Sequence, residues 1–280
     1  MNKETTRPAI KMVALDLDGT TLNRRKQITP RTVEAFGRAM EKGVHIVVST
    51  GRTFHSLPAQ IFEIPGLEYV ITSNGAHITR LLDRQRIYEN HIAPEAVLMV
   101  VDRIRGRGLS IETFAGGSAY IDQAEFDEVA ARGSDYRDAE YILTTRTPIP
   151  HICDFMAQHN EIIENISLNF RDMEEKQRWM ETLSALPGIT VTSSFIHNLE
   201  IGGADTSKAS ALGFLMEQLG VSPAELMACG DSLNDQRMLQ LAGIGVAVAN
   251  ACPEIKETAD YVTASNEEDG VAKAIERFVL

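Results

Sequence analysis

Residues 11–20 read KMVALDLDGT. Its first seven residues, 11–17, are short, apolar and partly β-branched, and the run ends abruptly at Asp18-Gly19, the pattern of a buried strand passing into a loop. Downstream, Thr29 suits a helix N-cap and Pro30 the first helical position. Val33, Phe36 and Met40 recur at helical spacing, and Gly43 stops the helix. Residues 44–50 (VHIVVST) read as the next buried strand, 53–64 as a helix and 69–73 as a third strand. The order β-α-β-α-β with short connections implies an α/β fold, a parallel doubly wound sheet covered by helices on both faces. That rhythm resumes late, with helices expected at 206–219, 235–241, 253–258 and from Asp269, and strands at 226–229, 244–248 and 261–262.

Between about residues 85 and 195 the pattern changes. A helix is expected at 94–105. Paired strand-like runs follow at 109–114 and 118–121, around Ala115-Gly116-Gly117, and again at 189–193 and 196–201. Such pairs read as hairpins and hence as an antiparallel sheet. The predicted organisation is a core made of residues 1–84 and 196–280, split by an inserted α+β domain at 85–195.

The 280 residues are 44% hydrophobic and 24% charged, which excludes disorder, collagen and disulfide scaffolds. Formal net charge is −12. Residues 85–195 hold 10 basic and 18 acidic residues, so the insert carries −8 of it. Nucleic acid and anionic membranes meet long-range repulsion, and neither is expected as a partner. Cys153, Cys229 and Cys252 form neither a C-x-x-C site nor a disulfide framework, which fits a reducing compartment, by default the cytoplasm. No apolar stretch precedes Met12 and no run of 18 apolar residues occurs, so secretion and membrane spanning are unsupported, and residues 1–9 read as a frayed tail. Cys229 is expected in the core, and Cys252, near a helix start, with a lowered pKa. The seven histidines show no H-E-x-x-H or tight ligand spacing, which argues against a zinc site. Residues 202–208 lack the Gly-Lys-Ser/Thr ending of a P-loop. Nothing in the sequence names an oligomeric state.

The chemistry-bearing residues follow strands. Asp16 and Asp18 stand where the first strand breaks at Gly19, so both carboxylates can turn toward one point above the sheet edge. Like charges held together call for a cation, and Mg²⁺ takes hard oxygen ligands from one or two carboxylates plus a substrate phosphate. A second acidic cluster, Gly230-Asp231-Ser232-Leu233-Asn234-Asp235, follows another strand and reaches the same edge. One such motif is explained by a capping turn; two at matching places are less easily so explained. Ser49-Thr50-Gly51-Arg52 offers a hydroxyl and backbone N–H groups to a phosphate oxygen, and Lys208, near a helix start, adds positive charge.

With D-L-D-G-T (16–20), S-T-G-R (49–52), Lys208 and G-D-S-L-N-D (230–235) in this order, the chain resembles the haloacid dehalogenase superfamily phosphatases, specifically the Cof-type group with the type IIB cap. Thr72-Ser73-Asn74-Gly75-Ala76, Val248-Ala249-Asn250-Ala251 and the closing D-G-V-A-K-A-I support it. Ala209 and Thr21 depart from the group's usual residues without removing a catalytic group. The resemblance implies a Rossmann-like core with an inserted cap. It implies that Asp16 attacks phosphorus and that Mg²⁺ is held by the Asp16 carboxylate, the Asp18 carbonyl and Asp231. Asp18 would act as acid and then base. Thr50 and Gly51 would bind the phosphoryl group, Lys208 would screen Asp16, and Asn234 and Asp235 would support the metal or orient Lys208. Arg52, Asn74 and Asn250 are expected at the phosphate or substrate end. The implied activity is hydrolysis of a small-metabolite phosphate monoester, a sugar phosphate first and flavin or pyridoxal precursors next. The cap's acidity is expected to disfavour highly anionic leaving groups. Alternatives are a phosphomutase or phosphotransferase on the same scaffold, or a non-catalytic phosphate-ligand sensor.

Overall fold

Alternation along Met12-Val13-Ala14-Leu15 explains why the first strand is apolar throughout. Met12 and Ala14 join one apolar layer with Val47, Ile71, Leu212 and Leu215, while Val13 and Leu15 join the other with Phe36, Ile46 and Val48. The computed structural model describes residues 9–280, so the tail expected at 1–9 lies, apart from Ala9, outside the described residues.

The chain begins β1 (Met12–Leu15), α1 (Pro30–Glu41), β2 (His45–Ser49), α2 (Ala59–Glu63), β3 (Tyr69–Thr72), β4 (His77–Arg80) and β5 (Gln85–Glu89). The insert follows with α3 (Pro94–Ile104), β6 (Ser110–Ala115), β7 (Ser118–Asp122), α4 (Gln123–Arg132), α5 (Ala139–Thr145) and β8 (Arg146–Ile149). It continues through α6 (Ile152–Gln158), β9 (Ile163–Asn169), α7 (Met173–Ser184), β10 (Ile189–Thr192) and β11 (Asn198–Gly203). The chain closes with α8 (Lys208–Leu219), β12 (Leu226–Gly230), α9 (Gln236–Leu241), β13 (Ile244–Ala247), α10 (Pro253–Thr258), β14 (Tyr261–Val262) and α11 (Gly270–Phe278). The start of α1 is built as its residues dictate: the Thr29 side chain accepts from the Thr32 N–H, and Pro30 opens the helix.

The larger sheet runs β14-β13-β12-β1-β2-β3-β4-β5. Its strands are parallel from β14 through β3, and β4 and β5 extend it antiparallel. The second sheet runs β10-β11-β9-β6-β7-β8 and is antiparallel except for the parallel β7–β8 pair. One of its faces packs Ile111, Ile166, Leu168, Leu199 and Ile201 against Val97, Val100, Met156 and Leu183 of α3, α6 and α7. Residues of alternate parity, Glu112, Ser167, Asn169 and Glu200, occupy the opposite face.

Strand pairing shifts the expected 85–195 limits of the insert at both ends. β5 is the edge of the larger sheet, and β11 is an interior strand of the second. The sequence QRIYE of β5 carries no apolar alternation because an edge strand is largely solvated. The run read at 196–201 as half of a closing hairpin is β11, paired antiparallel with β10 and β9, so it belongs to the insert and not to the core expected from residue 196.

Candidate active site

The carboxyl ends of β1, β2, β3 and β12 bring the sequence motifs together. Asp16, one residue past β1, is buried, and its backbone N–H donates to the Cys229 carbonyl of β12 at 3.1 Å. Lys208, the first residue of α8, has no exposed surface. Its Nζ donates to Asp16 Oδ1 at 2.5 Å and to Asp235 Oδ1 at 2.7 Å. The other Asp235 oxygen accepts the backbone N–H groups of Asp231 (2.9 Å) and Ser232 (3.1 Å), which fixes the loop that carries Asp231. Asp231 accepts from the Thr20 hydroxyl at 3.0 Å and the Ser232 hydroxyl at 3.1 Å.

Oxygens of Asp16, Asp231 and Asp235 all lie within 4.8 Å of one another. Burial pushes Asp16 well above the usual carboxylate range, and Asp235 and Asp231 push it further against the pull of Lys208. Burial, with Asp235, raises Asp231 to about 6. Burial alone would lower Lys208, but Asp16 and Asp235 outweigh it and hold the ammonium above its ordinary pKa. Three carboxylates around one ammonium leave two negative charges when all are ionised. That excess and the all-oxygen donor set fit a divalent hard cation such as Mg²⁺.

Asp18 stands apart from this group. Arg52 grips it with Nε on Oδ2 at 2.6 Å and Nη2 on Oδ1 at 2.7 Å, and Lys26 Nζ lies 3.3 Å from Oδ1. Burial would raise Asp18, but the Arg52 hydrogen bonds and charge overcome it and hold the carboxyl below its usual range. The Thr50 hydroxyl oxygen accepts the Arg52 N–H at 3.2 Å, which leaves its own proton free to donate.

Ser73 and Asn74 both adopt left-handed backbone, φ +50° and +56°. Asn74 donates its N–H to the Thr50 carbonyl at 3.1 Å, and its Oδ1 accepts from Asn234 Nδ2 at 2.9 Å. Asn74 and Asn234 therefore tie three loops together. Asn74, expected at the substrate end, is not among the residues lining the cavity, and neither is Asn250: the Asn250 Nδ2 donates to the Gly19 carbonyl at 2.7 Å and its Oδ1 accepts from Asn266 N–H at 3.0 Å. Each is a loop tie, where a substrate contact was expected. Cys229 is buried and pushed to about 12, as a core thiol should be, whereas burial raises Cys252 against the expected lowering.

Gly19 is required twice over, by φ +82° and because an added Cβ would lie 2.5 Å from Asp231 Oδ2. Gly19→Ala is expected to cost about 1–3 kcal/mol and at least about tenfold in activity. Thermal unfolding and turnover of the purified variant check both.

Above these residues lies a cavity of about 600 Å³, lined from the core by Asp16, Asp18, Thr50, Gly51, Arg52 and Asp231, and from the insert by Glu112, Tyr141, Arg146, Ser167, Asn169 and Glu200. Two guanidinium groups, Arg52 from the core and Arg146 from the insert, each lie 4.7 Å from the centroid of the Tyr141 ring. Arg146 and Arg137 both pair with buried Glu112. Arg137, carrying burial and a second guanidinium nearby, falls to about 9. Four basic side chains, Lys26, Arg52, Arg137 and Arg146, stand in the cavity among seven acidic ones, so its lining, like the insert, is acidic on balance. The insert's lining residues were missed in the sequence because they follow no short motif. Their one trace is a polar residue at every second position, Asn165-x-Ser167-x-Asn169 and Asn198-x-Glu200.

The family model of haloacid dehalogenase-like hydrolases matches residues 13–275. A Bacillus subtilis protein named 5-amino-6-(5-phospho-D-ribitylamino)uracil phosphatase YcsE is 32% identical over 275 residues, covering 97% of this chain and 96% of that one. Phosphatase YwpJ of the same organism is 32% identical over 290 residues, covering 94% and 98%. A solved haloacid dehalogenase-like hydrolase from B. subtilis superposes with a TM-score of 0.82 at 29% identity, covering 96% of this chain and 99% of that one.

Proposed function

The chain belongs to the haloacid dehalogenase-like hydrolases, and on that premise we propose that this phosphatase is Mg²⁺-dependent, acts on small phosphorylated metabolites and works through an aspartyl phosphate on Asp16. The observation that carries the reading is the buried Lys208 shared between Asp16 and Asp235 beside Asp231, a nucleophile screened by a fixed ammonium at a cation-seeking carboxylate cluster. Asp16, Asp231 and the Asp18 carbonyl would hold Mg²⁺, with Asp235 behind them. The ion would supply charge neutralisation for the transferring phosphoryl group.

In the first step an Asp16 carboxylate oxygen bonds to phosphorus, the ester P–O bond breaks, and the leaving oxygen takes a proton from Asp18. In the second, a water gives its proton to the Asp18 carboxylate and attacks phosphorus, the Asp16–phosphorus bond breaks, and phosphate departs. Thr50 and Gly51 hold the phosphoryl oxygens, and Lys208 keeps Asp16 from repelling them. The Arg52 grip holds Asp18 ionised, so substrate entry must loosen it before Asp18 can act as an acid.

A sugar phosphate is the first substrate class. Glu112, Ser167, Asn169 and Glu200 line the cavity with acceptors and donors suited to hydroxyl groups. The name of the B. subtilis relative adds phosphoribitylamino-uracil compounds as a second class to assay. Among the described residues no helix is long and apolar enough to cross a membrane. All three cysteines are free, in keeping with a cytoplasmic location.

The test is a panel of phosphate esters with Mg²⁺ or chelator. Free phosphate released fastest from sugar phosphates, and only with metal, is expected. Tight binding of one ester without turnover would favour a sensor, and release only in the presence of an acceptor sugar would favour phosphotransfer.

Two further outcomes follow from the geometry. Tyr141→Ala, which removes the ring that Arg52 and Arg146 both approach, is expected to raise KM about tenfold with a smaller change in kcat; steady-state kinetics on the best panel substrate measure it. Metal removal should be felt most above pH 6. Asp231 titrates near 6 in the folded, metal-free chain and near 4 when unfolded, so the folded state holds the extra proton between those values. As far as this group is concerned, metal-free stability is greatest below pH 4 and is lost as pH rises from about 4 through 6. Thermal unfolding should show Mg²⁺ raising the midpoint by roughly 5 °C at pH 7.5 and by clearly less at pH 5.5.

A further inference from the structure

We propose that His77, Glu89 and His91, at the root of the insert, form a site for a divalent transition-metal ion of the zinc class, separate from the carboxylate cluster. The β4–β5 hairpin pairs His77 with Glu89 in register, and His91 follows two residues later. His77 Nε2 lies 2.8 Å from His91 Nε2 and 3.9 Å from Glu89 Oε1, and the three potential ligand atoms all fall within 4.8 Å of one another.

The outer ring nitrogens carry the argument. His91 Nδ1 lies 3.2 Å from the Glu161 carbonyl, which only accepts, so the proton belongs on Nδ1. His77 Nδ1 faces Glu164 Oε2 at 3.6 Å, and Glu164 itself accepts from the Ser73 hydroxyl and the Gly117 N–H. With the His91 proton on Nδ1, its Nε2 lone pair points at His77 Nε2 2.8 Å away, and either a ring proton on His77 or a bound cation can bridge the two nitrogens. His91 shows the outer pattern of zinc-class ligands, the far imidazole N–H held by a carbonyl, and His77 turns its far nitrogen toward a carboxylate.

Glu89 supplies a third donor of suitable type, as in His₂Glu sites. It is exposed, so the site has an open side for entry and for a water as fourth ligand. The Glu89 oxygen that faces His77, Oε1, also accepts from Arg86 Nη1 at 3.1 Å, so an ion bound there shares or displaces that contact. Tetrahedral binding needs the two nitrogens about 3.3 Å apart, a widening of roughly half an ångström that falls on His91, which lies outside any strand.

Both chain crossings between core and insert meet here. Asn90 Nδ2 donates to the Ala204 carbonyl at 3.1 Å, and a Cβ on Gly203 would lie 2.5 Å from the His91 carbonyl oxygen. An ion on His77, Glu89 and His91 would therefore pin the first crossing, and with it the second, to β4.

The experiment is a Co²⁺ titration of the full chain in saturating Mg²⁺, which keeps the hard-oxygen site filled. One equivalent with the strong visible absorption of a four-coordinate nitrogen-containing site, displaced by Zn²⁺, is expected. The signal should vanish in His91→Ala and the affinity should fall at least tenfold in Glu89→Gln. Both residues lie away from the buried core, and Mg²⁺-dependent turnover without Co²⁺ should match the parent in both, which reports on folding. Absence of a Co²⁺ equivalent in the parent protein, as a proton shared between the two rings would give, overturns the site. So does a spectrum retained in both variants.

Discussion

Asp16→Asn is expected to lower phosphate release by at least about 10⁴-fold in saturating Mg²⁺, with the fold intact. The amide is nearly the same size as the carboxylate but offers no anionic oxygen to phosphorus. Lys208 keeps its 2.7 Å bond to Asp235, so the loop after β12 retains its anchor. The same change removes one of three crowded carboxylates whose mutual repulsion and burial push Asp16 well above its usual range. The metal-free variant should therefore unfold no earlier than the parent, and a phosphate assay beside chelator-treated thermal unfolding reads both effects. Phosphate release that survives the substitution would remove Asp16 as the nucleophile. An inactive variant that also unfolds early would mean that the carboxylate is structural.

Lys208→Met combines a loss of activity with a loss of stability. Met preserves the apolar stem and deletes the ammonium shared by Asp16 and Asp235, at a position with no exposed surface. Removing one partner of a buried ion pair costs about 3–5 kcal/mol because the other charge is left uncompensated. Loss of a fixed charge aimed at the reacting group costs a further factor of about 10³ in turnover. The two effects should separate. Mg²⁺ is expected to restore part of the thermal midpoint by neutralising the carboxylates, but not the turnover. The folded-state pKa of Lys208 lies above its ordinary value, so its stabilisation is complete at every working pH and disappears only in strong base. In the variant the carboxylates can escape repulsion by protonating, so its stability deficit should shrink as pH falls toward 5. A deficit independent of pH would point to lost packing as the cause.

Much of this site could be read from the sequence because each motif sits just past a strand of one parallel sheet. Once β1, β2 and β12 are recognised as adjacent parallel strands, Asp16, Thr50 and Asp231 must emerge at the same edge. Asn250 shows where that reasoning stops. It too follows a strand of this sheet, β13, but its amide is spent on the Gly19 carbonyl and the Asn266 N–H, and only side-chain geometry reveals that. The Asp18–Arg52 pair is a similar case. Both residues belong to recognisable motifs, yet a bidentate contact that holds the proposed acid ionised is a matter of rotamer and distance.

The chain's order of apolar runs and polar breaks determined the parallel core, the existence of an insert and the carboxylates that meet at the sheet edge. Local periodicity and turn chemistry act over a few residues and survive in the sequence as pattern. Tertiary structure alone decided where the insert begins and ends, because an edge strand such as β5 carries no apolar signature and a wholly buried one such as β11 does not say which sheet buries it. It also decided what the cavity offers a leaving group. Glu112, Tyr141, Arg146 and Glu200 converge there from separate strands and a helix of the insert. The pairing of His77 with His91 across a hairpin arises in the same way: it depends on register and side-chain direction, which residue spacing along the chain does not encode.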